Sequence, residues 1–151
     1  MKVHQVMSRD VETVRPNQSI KNIAQRMGRQ GIGYFPVCDK SGLIGIITDR
    51  DITCRLVANA QDPAVTKVRE IMSKGVTYCR DNDDLSNAVQ LMEQNRIRRI
   101  PVLDHNEHLV GILSLTDLAR KAPRRLTAEL IEAVSRETPL IVTINPGSEL
   151  P

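Results

Sequence analysis

Two places in this 151-residue chain set a hydroxyl three residues ahead of a carboxylate: Thr48 with Asp51, and Ser114 with Asp117. Each pair closes the same kind of run, Gly45-Ile46-Ile47-Thr48-Asp49-Arg50-Asp51 and Gly111-Ile112-Leu113-Ser114-Leu115-Thr116-Asp117. The apolar part reads as a strand and the hydroxyl as the start of a helix. A helix start offers free backbone N–H groups and the positive end of the peptide dipole, which together suit a phosphate. A hydroxyl there adds a hydrogen bond to a phosphate oxygen. One turn on, an ionised carboxylate has two acceptor oxygens, enough for both hydroxyls of a ribose. Gly45 and Gly111 let a ligand or a neighbouring backbone come close. The same spacing also resembles a capping box, which only satisfies free helix N–H groups. Two copies at matching places favour a ligand role, as does Asp, which is shorter than the usual Glu or Gln of a capping box. Both roles can coexist in the free protein.

The elements that must position these pairs also occur twice. Val6-Met7-Ser8 returns as Ile71-Met72-Ser73, and Phe35-Pro36-Val37 as Ile100-Pro101-Val102, each after 65 residues. Gly45 to Gly111 is one residue more, and the extra residue falls between Asp104 and Leu109. A repeat of this length is a whole supersecondary unit, and two such units can bury their apolar faces against each other. Each opens with an extended piece, Val11–Val14 or Val76–Cys79, followed by a polar turn. Ser19 and Asp84 are candidate N-caps. Ile20, Ile23, Ala24 and Met27, then Leu85, Ala88, Val89 and Met92, follow helical spacing with one buried stripe. Gly31 and Asn95 lie where each helix should stop. Tyr34–Cys38 with Leu43–Thr48, and Ile97–Leu103 with Leu109–Ser114, read as hairpins. A second helix follows Thr48 and Ser114. The unit is strand–helix–strand–strand–helix, an α+β arrangement. Leu126, Leu130, Ile131 and Val134 suggest one further helix, and Leu140–Ile144 a short strand.

Bulk composition narrows the function. Aromatic residues make up 2% of the chain, so Ile, Val, Leu and Met must fill the core, and a base-stacking platform for single strands is excluded. A net charge of +3 lacks the concentrated basic face of a nucleic-acid binder. Cys38, Cys54 and Cys79 are odd in number and show no C-x-x-C spacing, which points to reduced cysteines in a cytoplasmic protein. No stretch is long and apolar enough to span a bilayer, and the N-terminus has no signal-peptide pattern.

These motifs, in order and twice, resemble the cystathionine-β-synthase (CBS) domain, and the pair resembles a Bateman module over residues 3–120. The resemblance implies an α+β fold of two pseudo-symmetric CBS repeats (β-α-β-β-α) packed sheet to sheet. The expected boundaries are 3–59 for repeat 1, 60–70 for a linker, 71–122 for repeat 2 and 123–151 for a C-terminal extension. It also implies two clefts for adenine nucleotides: AMP first, with ATP, ADP, NAD or S-adenosylmethionine in the family's range. The arrangement is crossed. One cleft would join Thr48, Arg50 and Asp51 to Arg98, Arg99, Ile100, Pro101 and Tyr78. The other would join Ser114 and Asp117 to Gly33, Tyr34, Phe35, Pro36 and Thr13. Strand alternation should send Arg98 and Arg99 to opposite faces, with one of them inward. The Asp51 cleft is therefore expected to prefer more phosphate charge. The family further implies a homodimer, with the helices at 50–59 and 115–121 supplying the contact, and a separate protein partner that receives the signal.

Other features are weaker. His105 and His108 sit in a hairpin turn without a third ligand nearby, so no metal is expected. Arg96–Arg99 and Lys121–Arg125 read first as solvated basic surface. No nucleophile–base–orienter set and no Walker-type loop occur, so the chain is not expected to be an enzyme. Two rivals remain: a structural adaptor with non-binding clefts, and a nucleic-acid-binding regulator using those basic runs, whose affinity would fall steeply with salt.

Overall fold

The computed structural model describes residues 1–136. The strand expected at 140–144 lies outside them. Each repeat begins its helix as the apolar spacing requires. Helix α1 (Ile20–Gln30) is capped by Ser19, whose hydroxyl accepts from Asn22 N, and it ends at Gly31 in the left-handed region. Its counterpart starts 65 residues on, at Leu85.

Strands β1 (Tyr34–Asp39) and β2 (Gly42–Thr48) form an antiparallel hairpin, and Val14 bridges in parallel to Val37. From Thr48 the chain enters α2 (Asp49–Asp51), which continues not as an α-helix but as a π-helix over Ile52–Val57. A short helix α3 (Val68–Ile71) follows. The second repeat supplies β3 (Cys79–Arg80), α4 (Leu85–Asn95), β4 (Arg99–Leu103), β5 (Leu109–Ser114) and α5 (Leu115–Lys121). Strand β3 runs parallel to β4, and β4 pairs antiparallel with β5. Both hairpins carry a register shift at the same place, Val37/Cys38 and Val102/Leu103. The pseudo-symmetry thus extends to the irregularities of the sheets.

Two helix ends differ from expectation. Asp84 makes no cap hydrogen bond, and its carboxylate instead pairs with Lys2 at 2.9 Å. Helix α4 runs through Asn95, and Arg96 takes the left-handed position that Gly31 takes in repeat 1. The Asn95 side chain is engaged by Leu91 O, one turn back.

Each repeat has its own core, and the cores are built crosswise. Val3, Val6 and Met7 pack into the second repeat with Leu85, Val89, Ile100 and Leu113. Val68 and Ile71 pack into the first with Ile20, Ile23, Phe35 and Ile47. Backbone hydrogen bonds fix both exchanges. Val3 N donates to Asp83 O and Leu85 N to Met1 O; Val68 N donates to Gln18 O and Ile20 N to Thr66 O. Segment 63–69 is therefore held against repeat 1 rather than running free.

Helix α6 (Arg124–Ser135) has no counterpart in repeat 1. Its Leu126 and Leu130 join the second core beside Ala88, Val89 and Leu118. On α5, one of the two helices expected at a dimer contact, Leu118 is covered within the chain, at 0% exposure. On the π-helix, Leu56 is also buried, while Val57 is 63% exposed. Among the described residues, no helix is long and apolar enough to cross a membrane.

Candidate functional site

Both hydroxyl–acid pairs sit where a strand becomes a helix, and both form the same local structure. Thr48 Oγ1 accepts from Asp51 N (3.1 Å), while Asp51 Oδ2 accepts from Thr48 N and Thr48 Oγ1 (3.0 Å each). Ser114 Oγ accepts from Asp117 N (3.2 Å), and Asp117 Oδ2 accepts from Ser114 N (2.9 Å) and from Ser114 Oγ. These are complete capping boxes, despite the short acid. The closure leaves Oδ1 of each carboxylate for other donors. Ser8 Oγ donates to Asp117 Oδ1 at 2.7 Å, across the repeat boundary. Ser73 Oγ lies 3.4 Å from Asp51 Oδ1, and Arg55 3.6 Å from the same oxygen. A carboxylate oxygen has two lone pairs, so Asp117 Oδ1, with one donor, can still accept from a sugar hydroxyl, whereas Asp51 Oδ1 already meets two donors. Asp51 is 8% exposed and Asp117 7%; neither points into bulk water.

The crossed core also explains the glycines. A Cβ on Gly45 would stand 2.7 Å from Met72 Sδ and 2.9 Å from Ser73 O; one on Gly111 would stand 2.5 Å from Met7 Sδ and 2.9 Å from Ser8 O. The Met-Ser of one repeat lies directly on the strand of the other, with Ser73 bridged to Ile46 and Ser8 to Ile112. What comes close to these glycines is the Met side chain and the Ser carbonyl of the other repeat.

Two clefts open beside the pairs. The larger, about 750 Å³, brings Thr48 and Arg50 together with Arg98, Arg99 and Pro101. The smaller, about 430 Å³, brings Ser114 and Asp117 together with Gly33, Tyr34 and Phe35. Several expected residues lie elsewhere. Ile100 is fully buried in the second core and lines neither cleft. Pro36 is buried and does not line the smaller cleft. Asp51 does not reach the lining of the larger cleft, where Thr48, Arg50 and Ser73 stand instead. Tyr78 faces a separate groove with Leu43 and Leu103, and Thr13 faces away; the cleft residues are their neighbours Val76 and Thr77, and Val11 and Glu12. The lining residues run consecutively, 10–12 and 74–77, and the cleft walls stop one residue short of Thr13 and Tyr78.

Arg98 and Arg99 both line the larger cleft. Alternation fails to separate them because β4 starts at Arg99, so Arg98 lies outside the regular pleat. Arg99 and Tyr34 are equivalent positions of the two repeats, and each lines both clefts. The Arg99 guanidinium carbon lies 5.9 Å from the Tyr34 ring centre. The Tyr34 hydroxyl is buried without a hydrogen-bond partner. Burial pushes its pKa well above the usual tyrosine value, with Arg99 opposing.

Sequence reasoning missed the flanks of the clefts. Lys74 and Arg96 join the larger one, and Ser8, Asp10 and Glu12 the smaller. The repeated Met-Ser was a visible signal for Ser8 and Ser73; the others follow only from the fold. Among the described residues, no group of three or more His, Cys, Asp or Glu is placed to hold a metal ion.

The CBS domain family model matches residues 3–58 and 68–124. The chain is similar to the CBS domain-containing protein YhcV of Bacillus subtilis, 43% identical over 117 residues, covering 78% of this chain and 82% of that one. It is also similar to Hypoxic response protein 1 of Mycobacterium tuberculosis, 30% identical over 130 residues, covering 85% and 90%. Among solved structures, the CBS domain pair of protein MJ0100, in complex with 5′-methylthioadenosine and S-adenosyl-L-methionine, aligns with a TM-score of 0.69 at 27% identity, covering 80% of this chain and 94% of that one. The doubled motif, the two exchanged cores and the paired clefts agree with these matches: the chain belongs to the CBS domain family and carries two such domains.

Proposed function

We propose that this protein is a regulatory module that binds adenine nucleotides in two inter-repeat clefts and passes the signal to a separate protein partner. The observation that carries the reading is the doubled capping box. A hydroxyl lines a cleft in each repeat with a nearly buried acid hydrogen-bonded to it; Asp117 lines its cleft and keeps acceptor capacity on Oδ1, while Asp51 stands behind Thr48. The adenosine derivatives bound to the pair in MJ0100 support the same ligand class.

In this reading Thr48, Arg50, Arg98, Arg99 and Pro101 receive one ligand, and Ser114, Asp117, Gly33, Tyr34 and Phe35 the other. The larger cleft is lined by five basic side chains, Arg50, Lys74, Arg96, Arg98 and Arg99, against one acid, Asp49. That balance favours a phosphorylated ligand there, with AMP, ADP and ATP as the candidates. No catalytic role is assigned to either cleft. A ligand shifts the module's conformation only by its difference in affinity between states. Homodimerisation remains part of the proposal, with the π-helix surface around Val57 as the contact in place of α5.

Mass spectrometry of small molecules released from the purified protein tests the reading directly, and an adenine nucleotide is expected. In thermal melts, a ligand at about 100 times its Kd should add roughly 2.7 kcal/mol. No released nucleotide, together with no thermal response to AMP, ADP, ATP or adenosine, would refute it.

A further inference from the structure

The two clefts are equivalents under the pseudo-twofold, so every lining position has a counterpart 65 or 66 residues away, and the differences report on selectivity. Where the larger cleft has Arg98, the smaller has Gly33 at the matching position, and Thr116, the counterpart of Arg50, lies outside the smaller cleft's lining. Where the larger has Gly75 and Thr77, the smaller has Asp10 and Glu12. On balance basic groups are lost and acidic groups are gained, with two acids gained against one lost, since the counterpart of Asp49 is Leu115.

The acids are not spare surface charge. Glu12 is fixed to the cleft by Arg26 (2.7 Å) and Gln30 (2.8 Å), both from α1. The Arg26 hydrogen bond, then that of Gln30, holds its carboxyl below the usual glutamate range. With Asp117 the smaller cleft is lined by three carboxylates, of which Glu12 is paired with Arg26 from behind, against a single lining cation, Arg99, which it shares with the larger cleft. The Tyr34 hydroxyl, buried and without a partner on the wall of both clefts, is a neutral donor that a ligand can engage without carrying charge.

Resting on the reading of the clefts as nucleoside sites, we infer that the Ser114–Asp117 cleft takes a nucleoside without a 5′ phosphate and rejects nucleotides, with Asp10 and Glu12 as the excluding residues. A 5′ phosphate would have to sit beside carboxylates with no cation of its own, and like charges at that range oppose binding. The sugar contacts do not depend on that charge, because the serine and the acid are retained. The molecule would then read two different signals, a phosphorylated one through the Thr48 cleft and an unphosphorylated one through the Ser114 cleft.

Titration calorimetry with AMP and with adenosine tests this on the full chain. The wild type should bind one AMP per chain. The double variant Asp10→Asn with Glu12→Gln keeps the shape and removes the charge; it should bind a second AMP, with affinity at that cleft raised about tenfold or more. Adenosine binding should weaken at least about tenfold in Asp117→Ala while AMP binding persists. Because Asp117→Ala also opens a capping box and can unfold, the double variant at two exposed positions is the deciding one. Two AMP per chain in the wild type, or no gain of AMP in the double variant, would overturn the inference while leaving the nucleotide reading intact. No binding of AMP, ADP, ATP or adenosine by any form would overturn both.

Discussion

Gly45 and Gly111 show how one missing carbon positions a site. Each lets the backbone of Ser73 or Ser8 lie against the strand that leads to the hydroxyl–acid pair. A methyl group there meets a carbonyl oxygen inside 3 Å, and backbone paired in a bridge cannot give way cheaply. Gly45→Ala and Gly111→Ala should each cost about 1–3 kcal/mol, the usual range for overpacking. In a chain of this size that lowers Tm by roughly 2–4 °C per kcal/mol. Each variant should also weaken ligand binding at its own cleft more than at the other, measured by calorimetry. Equal loss at both clefts would show that the glycines serve global packing alone. Asp117 carries the same double duty, because its Oδ1 holds Ser8 while its Oδ2 closes the helix cap.

At the scale of elements, the second helices of the two repeats have diverged. Repeat 2 continues as a regular helix, α5, whose Leu118 is sealed by Leu126 and Leu130 of α6. Repeat 1 continues as a π-helix with Leu56 turned inward and Val57 outward. π-Helical turns are often found at functional positions, and here the turn leads directly out of the Thr48 cap. The seal by α6 is a packing interaction like any other in the core. Leu130→Ala removes a fully buried side chain and should cost about 2–4 kcal/mol, seen as a lower urea midpoint at unchanged slope. A larger change in slope would mean that α6 is loosely attached and that α5 is open to a partner.

At the scale of the whole molecule, the cores are exchanged. Residues 3–7 complete the second repeat and residues 68–71 complete the first. The sequence repeat and the folding unit are therefore out of register. A fragment cut at the sequence repeat, 3–59, lacks Val68 and Ile71 and should remain unfolded. A fragment covering 10–73 carries the first core intact and should show native-like amide dispersion and slower hydrogen exchange at Ile23 and Ile47. Comparable disorder in both fragments would show that the exchanged segments stabilise the repeats only in the full chain. The exchange also gives each cleft one serine from the opposite half, so neither half holds a complete site.

The amino-acid sequence by itself determined the repeat, the order of elements and the identity of the two hydroxyl–acid pairs. These are local: apolar spacing, cap chemistry and the distance between Thr48 and Asp51 act within a turn or a strand. It also carried the family through motifs that recur in order. Only the tertiary structure decided which flanking residues meet across the repeats. Thr77 rather than Tyr78, and Glu12 rather than Thr13, line the clefts because the place where the other repeat docks sets how far along each segment the cleft wall reaches. Ser8 reaches Asp117 across 109 positions of chain because an opening segment crosses to the other core. Contacts of that kind depend on how two units dock, which no local pattern encodes.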